Sequence, residues 1–221
     1  MSYDLYLRNP VTKEELTVPG HLMYGGNVMC DYIDGAFIPK PTTEAYLNIT
    51  YNYGRYYYEA FPRADKESNN RQHESDVAAF MINPDYAGIR ILNGVSGVDA
   101  VPILEEMIRR IENRYKRPDG TWVVTTRERD YYINRATGQR EGKDFFALGV
   151  FLRLRSESAT DEEASQKFDE LYERHTETYE MNEGSCGEDY WSETAANAIK
   201  PLYQLIALSK LRPDGVWSEE S

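Results

Sequence analysis

The chain has 221 residues, enough for one large core or two small ones. Its net charge of −12 repels a phosphate backbone on average, which argues against direct nucleic-acid binding. With a pI near 4.8 it suits either plain solubility or a fit to a basic surface on a partner.

"YDLYLR" (Tyr3–Arg8) alternates apolar and polar side chains and predicts a half-buried strand. "NPVTKEE" turns the chain, and "ELTVP" can return as a second strand. Residues 20–41 hold several glycines and two prolines and read as a long irregular connection.

Thr42–Phe61, "TTEAYLNITYNYGRYYYEAF", carries two periods at once. Leu47, Ile49, Tyr51 and Tyr53 alternate with polar neighbours, as in a strand. Asn48, Asn52, Arg55 and Glu59 also form one polar helical stripe. About twenty residues without a turn signal exceed a typical strand, so the expectation is a helix capped by Thr42 or Thr43 and ended by Pro62. Gly54 inside a helix costs about 1 kcal/mol relative to alanine, which a close neighbour or ligand over that backbone would explain.

"RADKESNNRQHESD" (Arg63–Asp76) reads as an exposed loop, and a short apolar segment follows, closed by Asn83-Pro84. Asp99 then opens a helix with Leu104, Met107, Ile108, Ile111 and Tyr115 as its buried stripe. From Trp122 the period changes, and residues 121–155 read as two or three strands with a hairpin turn at Ala136–Gln139. "SESATDEEASQKFDELYERHTETYE" (residues 156–180) reads as an acidic amphipathic helix carrying His175. The last helix spans about Ser192–Leu211, before an acidic tail. "RPDGTW" (Arg117–Trp122) and "RPDGVW" (Arg212–Trp217) each follow an apolar helix and supply a type I turn. They read as one helix-stop device used twice, because their flanks do not match as a duplicated domain would.

Few residues carry recognisable chemistry. The three histidines, His21, His73 and His175, fit no ligand spacing, so no metal site is expected. Cys30 and Cys186 form no CxxC; two free thiols is the simpler reading, with a single disulfide left open. No nucleophile elbow, Walker loop or dinucleotide fingerprint occurs, so no catalytic residue and no cofactor are assigned. "YGGN" at Tyr24–Asn27 is by default a turn.

Two patches remain as ligand-binding candidates. The first is Asn48, Asn52 and Arg55, with Glu44 one turn earlier and Tyr51 beside them. Paired carboxamides and a guanidinium suit a nucleotide-like or peptide ligand; an internal hydrogen-bond network explains them equally well. The second is Tyr190, Trp191, Thr194 and Asn197 at the start of the last helix. Aromatics beside a helix N-terminus can hold a planar anion, although a staple and cap is the commoner use of such residues.

"LNITYNYGRYYYEA" resembles a group of uncharacterised bacterial and phage proteins whose helix reads N-[I/V]-T-[H/Y]-N, here Asn48, Ile49, Thr50, Tyr51 and Asn52. "YDLYLRNPVT", "GIRILNGVSGVDAVPILEEMI" and "YWSETAANAIKPLYQLIALSKLRPDGVW" look like further members' segments, about half the chain in all. The resemblance implies a bacterial or phage context and no particular chemistry.

The expected fold is α+β: a mainly helical core with a small N-terminal β-hairpin and a β-rich insertion. It is one domain over residues 1–221, with the core in 1–116 and 188–221 and the insertion in 117–187. The N-terminus lacks the basic and apolar regions of a signal peptide, and no apolar run approaches the roughly 18–20 residues needed to span a bilayer. The expected setting is therefore cytoplasmic, in a bacterial cell or in the host of a phage. The leading functional expectation is a non-catalytic binding protein for a partner protein or small ligand, of immunity or counter-defence type. The alternatives are an enzyme acting on a nucleotide-like or ADP-ribose-like substrate through Glu44, Tyr51, Asn52 and Arg55, and a self-assembling structural module.

Overall fold

A computed structural model describes residues 2–19, 30–39, 41–62, 86–142, 145–186 and 192–220. The fold is α+β, and the chain divides into two compact units. Unit 1 holds residues 1–123 and 182–221, and unit 2 holds residues 124–181. Those divisions fall inside the 117–187 span read from the sequence.

Unit 1 is organised by strand β1 (Ser2–Arg8), whose alternating burial puts Tyr3, Leu5 and Leu7 inward. Its main partners are not the neighbouring segment. The turn after Asn9 returns the chain with only an Arg8↔Glu15 bridge, and the next strand, β2 (Thr17–Pro19), pairs with β5 (Thr42–Glu44). Strand β1 lies instead between β6 (Tyr46–Thr50) and β9 (Val216–Glu220), antiparallel to both. Strands β3 (Cys30–Ile33) and β4 (Ala36–Pro39) form a hairpin within the span read as an irregular connection. Asp34 and Gly35 both take positive φ, 50° and 85°, which matches the twist of a two-residue hairpin turn.

The Thr42–Phe61 helix expectation is corrected. The segment forms β5, β6, a 3-10 turn at Tyr51–Tyr53, and only then helix α1 (Gly54–Ala60). Of the two periods present, the strand period wins up to Thr50, because Leu47 and Ile49 bury on the inner face of the sheet opposite Leu5 and Tyr3. The N-x-T-x-N motif is therefore strand and 3-10 turn, not helix. Gly54 does have a close neighbour: a Cβ there would lie 2.7 Å from the Tyr3 hydroxyl.

Helix α2 (Gly97–Tyr115) starts at the Ser96 cap, whose hydroxyl accepts the Asp99 N–H. It buries Leu104, Met107, Ile108, Ile111 and Tyr115 as its spacing predicts. The last helix, which we number α5 (Ala195–Leu211), completes the core with Ile199, Leu202, Leu205, Ile206 and Leu208. Both Arg-Pro-Asp-Gly turns form: Gly120 N–H bonds Arg117 C=O at 2.9 Å, and Gly215 N–H bonds Arg212 C=O at 3.1 Å. The second copy does more than stop a helix. It leads into β9, where Trp217 is 1% exposed and its indole N–H bonds Ser209 Oγ at 3.0 Å on α5. The supposed acidic tail is thus a sheet strand. Gly97 meets this turn so closely that a Cβ would lie 2.5 Å from the Arg212 carbonyl oxygen.

Unit 2 is a ribbon and a helix pair. Strand β7 (Val124–Asn134) pairs with β8 (Tyr172–Asn182), and helices α3 (Ala147–Ser156) and α4 (Asp161–Leu171) lie between them in sequence. Two expectations fail here. "ALGVFLRLRS" is helix α3 rather than strand, and the acidic helix stops at Leu171, leaving His175 on β8. The alternation of Thr, Tyr and His with charged residues in "YERHTETYEMN" is the strand signal that the helical reading passed over. The core of the unit is a cluster of four rings, Tyr132, Phe145, Phe168 and Tyr172, with centroids 4.8–5.6 Å apart in successive pairs. These rings are only half-buried, and Leu154 and Ala164 are the buried apolar residues among those described in unit 2.

Candidate functional site

The first predicted patch does not assemble as one stripe. Glu44 is exposed on β5, and Asn48 is half-buried on the outer face of β6. Asn48 Nδ2 donates to Asp4 Oδ1 at 2.8 Å, an acceptor that the Tyr46 hydroxyl shares. Tyr51 packs edge-on against Tyr3, with centroids 4.4 Å apart. Asn52 is exposed in the 3-10 turn, its backbone N–H bonded to Thr50 Oγ1. Arg55 faces helix α2, where its guanidinium donates to the Tyr115 hydroxyl at 3.2 Å. That hydroxyl donates to Glu59, which also pairs with Arg114 at 3.2 Å. Burial, with Glu59 beside it, raises the Tyr115 hydroxyl above its ordinary range. The predicted residues thus serve separate structural networks, one on the sheet and one between α1 and α2.

The second patch resolves into a helix cap. Thr194 is the N-cap of α5 and accepts the Asn197 N–H at 3.2 Å. The buried Asn197 carboxamide donates to Ser192 C=O and accepts from Lys200 Nζ at 2.9 Å. Tyr190 and Trp191 lie outside the described residues, as do His21, His73 and the Tyr24–Asn27 glycine turn. Sequence reasoning overlooked Glu183, which is fully buried and completes this cap. Its carboxylate accepts the Tyr56 hydroxyl at 2.7 Å and the Ala195 N–H at 3.0 Å, where the helix N-terminus favours negative charge. A short glycine-containing break before the helix, "MNEGS", was the only available signal. Cys186 is free and exposed, and no cluster of three metal-ligating side chains occurs among the described residues.

Unit 2 carries a group of exposed apolar side chains on one helix. Leu148 and Leu152, one turn apart on α3, are 54% and 55% exposed, and Phe146 is 65% exposed. The Phe146 ring is folded over Gly149, where a Cβ would lie 2.4 Å from it, so the three side chains share one outward face. On the ribbon, Glu177 accepts both Arg140 terminal nitrogens, at 2.6 and 2.7 Å, and Arg129 Nε at 2.7 Å. Arg140, then Arg129, lowers the Glu177 carboxyl to about 2. The Arg140 guanidinium lies 4.1 Å from the Tyr131 ring centroid, and Tyr131 stacks on His175 at 5.3 Å. Beside this cluster a cavity of about 650 Å³ is lined by Arg129, Asp130, Tyr132, Arg140 and Phe145 among others. Its lining carries charges of both signs, with Arg129 and Arg140 sharing the one carboxylate of Glu177. No helix among the described residues is long and apolar enough to cross a membrane. Comparison with protein-family models, curated proteins and solved structures finds no match to this chain.

Proposed function

We propose that this is a non-catalytic binding protein that takes a protein partner through unit 2. The observation that carries the reading is the exposed Phe146, Leu148 and Leu152 face on α3. Single exposed apolar side chains are ordinary, but three on one helix face, with a ring laid over a glycine, form a contiguous patch of the kind that marks interaction sites. Covering a leucine or phenylalanine fully is worth about 1.5–3 kcal/mol, so these three side chains alone can supply much of an interface's central affinity. The net charge of −12 favours a partner with a basic surface, as an inhibitor of a cationic protein in the cytoplasm would meet.

Native mass spectrometry of the protein purified from its own host tests the proposal. A stoichiometric protein partner, lost from the Phe146→Asp, Leu152→Asp double variant, is the expected result. A co-purified small molecule retained by that variant, with no protein partner, would overturn it.

A further inference from the structure

The edges of the β7–β8 ribbon say how such a partner is held. Arg135 N–H bonds Leu171 C=O, Asp130 meets Thr176, and Arg129 meets Glu177, so the strands run antiparallel with these residues opposite one another. In such a ladder alternate residues turn their backbone groups toward the partner strand, and those between turn them outward. Arg135 points to β8, so the even-numbered residues of β7 face the other edge. Two bonds agree with this: Asn134 N–H reaches Gln139 C=O at 2.9 Å, and Glu141 N–H reaches Tyr132 C=O at 2.8 Å.

Residues 139–141 thus pair briefly with β7 as a third strand, with an Ile133↔Arg140 bridge between those bonds. Further along the same edge, the outward backbone groups of Asp130, Glu128 and Thr126 have no hydrogen-bond partner among the described residues. The cavity of about 650 Å³ opens where that short pairing ends, between Asp130, Tyr132, Arg140 and Phe145.

We propose that this edge accepts an extended segment of the partner protein as an added strand, continuing the line of residues 139–141. This rests on the binding reading above and names the mode of recognition. Main-chain hydrogen bonds to Asp130, Glu128 and Thr126 give affinity, and the cavity takes one large side chain.

Charge identifies the occupant as a different chain rather than a second copy. If two β7 edges met about a twofold axis, even residues would face even and odd would face odd. In the register that overlaps Thr126–Asp130 fully with its copy, Glu128 meets Glu128 and Arg127 meets Arg129. Like charges directly opposite destabilise a pair. A complementary strand places basic side chains over Glu128, which has no ion pair among the described residues, and acidic ones on the opposite face, where Arg129 and Arg140 share the single carboxylate of Glu177.

The test uses the full chain and a short fluorescein-labelled peptide that alternates Lys or Thr with Glu and ends in Phe. A scrambled peptide of the same composition is the control. Saturable anisotropy binding is expected, weakened about tenfold or more in Glu128→Pro. Proline is chosen because the Glu128 N–H faces away from β8, so the ribbon's own ladder keeps its bonds. Glu128→Lys is expected to reverse the preference toward a peptide with Glu in place of Lys. In hydrogen exchange, the Thr126, Glu128 and Asp130 amides exchange quickly in the free protein and slow when the peptide binds.

Equal binding by wild type and Glu128→Pro, no saturable binding, or protection of those amides without peptide would each overturn the inference. So would concentration-dependent dimerisation that protects them. The Phe146→Asp, Leu152→Asp variant is expected to bind the peptide normally. Failure of the α3 docking face and failure of the strand edge are therefore read separately.

Discussion

The two units solve the burial problem differently. Unit 1 surrounds a three-stranded sheet with helices and buries Tyr53, Tyr56, Tyr57, Leu104 and Trp217 to 1% exposure or less. Unit 2 holds a ribbon and a helix pair around four aromatic rings and leaves Phe146, Leu148 and Leu152 in contact with solvent. A two-stranded ribbon is marginal alone in water, and it needs packing or a further strand. On the proposed reading, the apolar surface that unit 2 leaves exposed is what a partner would cover.

The largest expected effect is Trp217→Ala. It opens a cavity in the core and leaves the Ser209 hydroxyl unpaired, at a cost of about 3–5 kcal/mol in urea denaturation followed by circular dichroism. Hydrogen exchange in the ribbon should hardly change; an equal loss of protection there would break the contrast between units. Next is Gly97→Ala. The new Cβ would press on the Arg212 carbonyl, a backbone atom that cannot turn aside, at about 1–3 kcal/mol by the same measurement. A neutral result would show that the α2–α5 junction yields more than its geometry implies.

A smaller effect concerns acid. The Glu177 carboxyl lies at about 2 in the folded protein, below its ordinary 4.5. A depressed carboxyl contributes stability that is present above the ordinary value and lost as pH falls toward the folded one. Ribbon amides should therefore lose protection, relative to the intrinsic exchange rate at each pH, between about pH 4.5 and 2, and Glu177→Gln should flatten that limb. The contribution is modest because the pair is solvent-screened. An unchanged acid limb would show that the arginine pair does not hold the ribbon. Smallest of all, Leu148→Ser with Leu152→Ser should alter melting by no more than about 0.5 kcal/mol per site. A large loss would mean that α3 is already packed, and the exposed surface would not exist.

The sequence was most legible where one period acted alone. The Leu104, Met107, Ile108 and Ile111 stripe specifies α2, and the alternation of Tyr3, Leu5 and Leu7 specifies β1. It misled where two periods overlapped. Thr42–Thr50 satisfied both, and only the pairing of Ile49 with Tyr3 decides between them. Residues 147–156, largely apolar throughout, had no period strong enough to distinguish helix from strand. The candidate stripe of Asn48, Asn52 and Arg55 dissolved because it required a continuous helix through Thr50. An open edge could not have been read from local sequence at all, since it depends on which distant segments pair with β7 and which do not.

The position of β1 between β6 and β9 also sets an order on folding. Strand β1 precedes the other described elements in sequence, yet one of its two neighbours is built from residues 216–220, and Arg8 reaches Ser218 across 210 positions of sequence. Unit 2's cross-strand contacts, by contrast, span about 50 positions. Loop closure over the longer distance is the slower event, and β1 must wait with one side unpaired until the second Arg-Pro-Asp-Gly turn has been made. Burial of Trp217 then reports the closure of this long-range pairing, and its fluorescence is a natural clock for when the sheet is sealed.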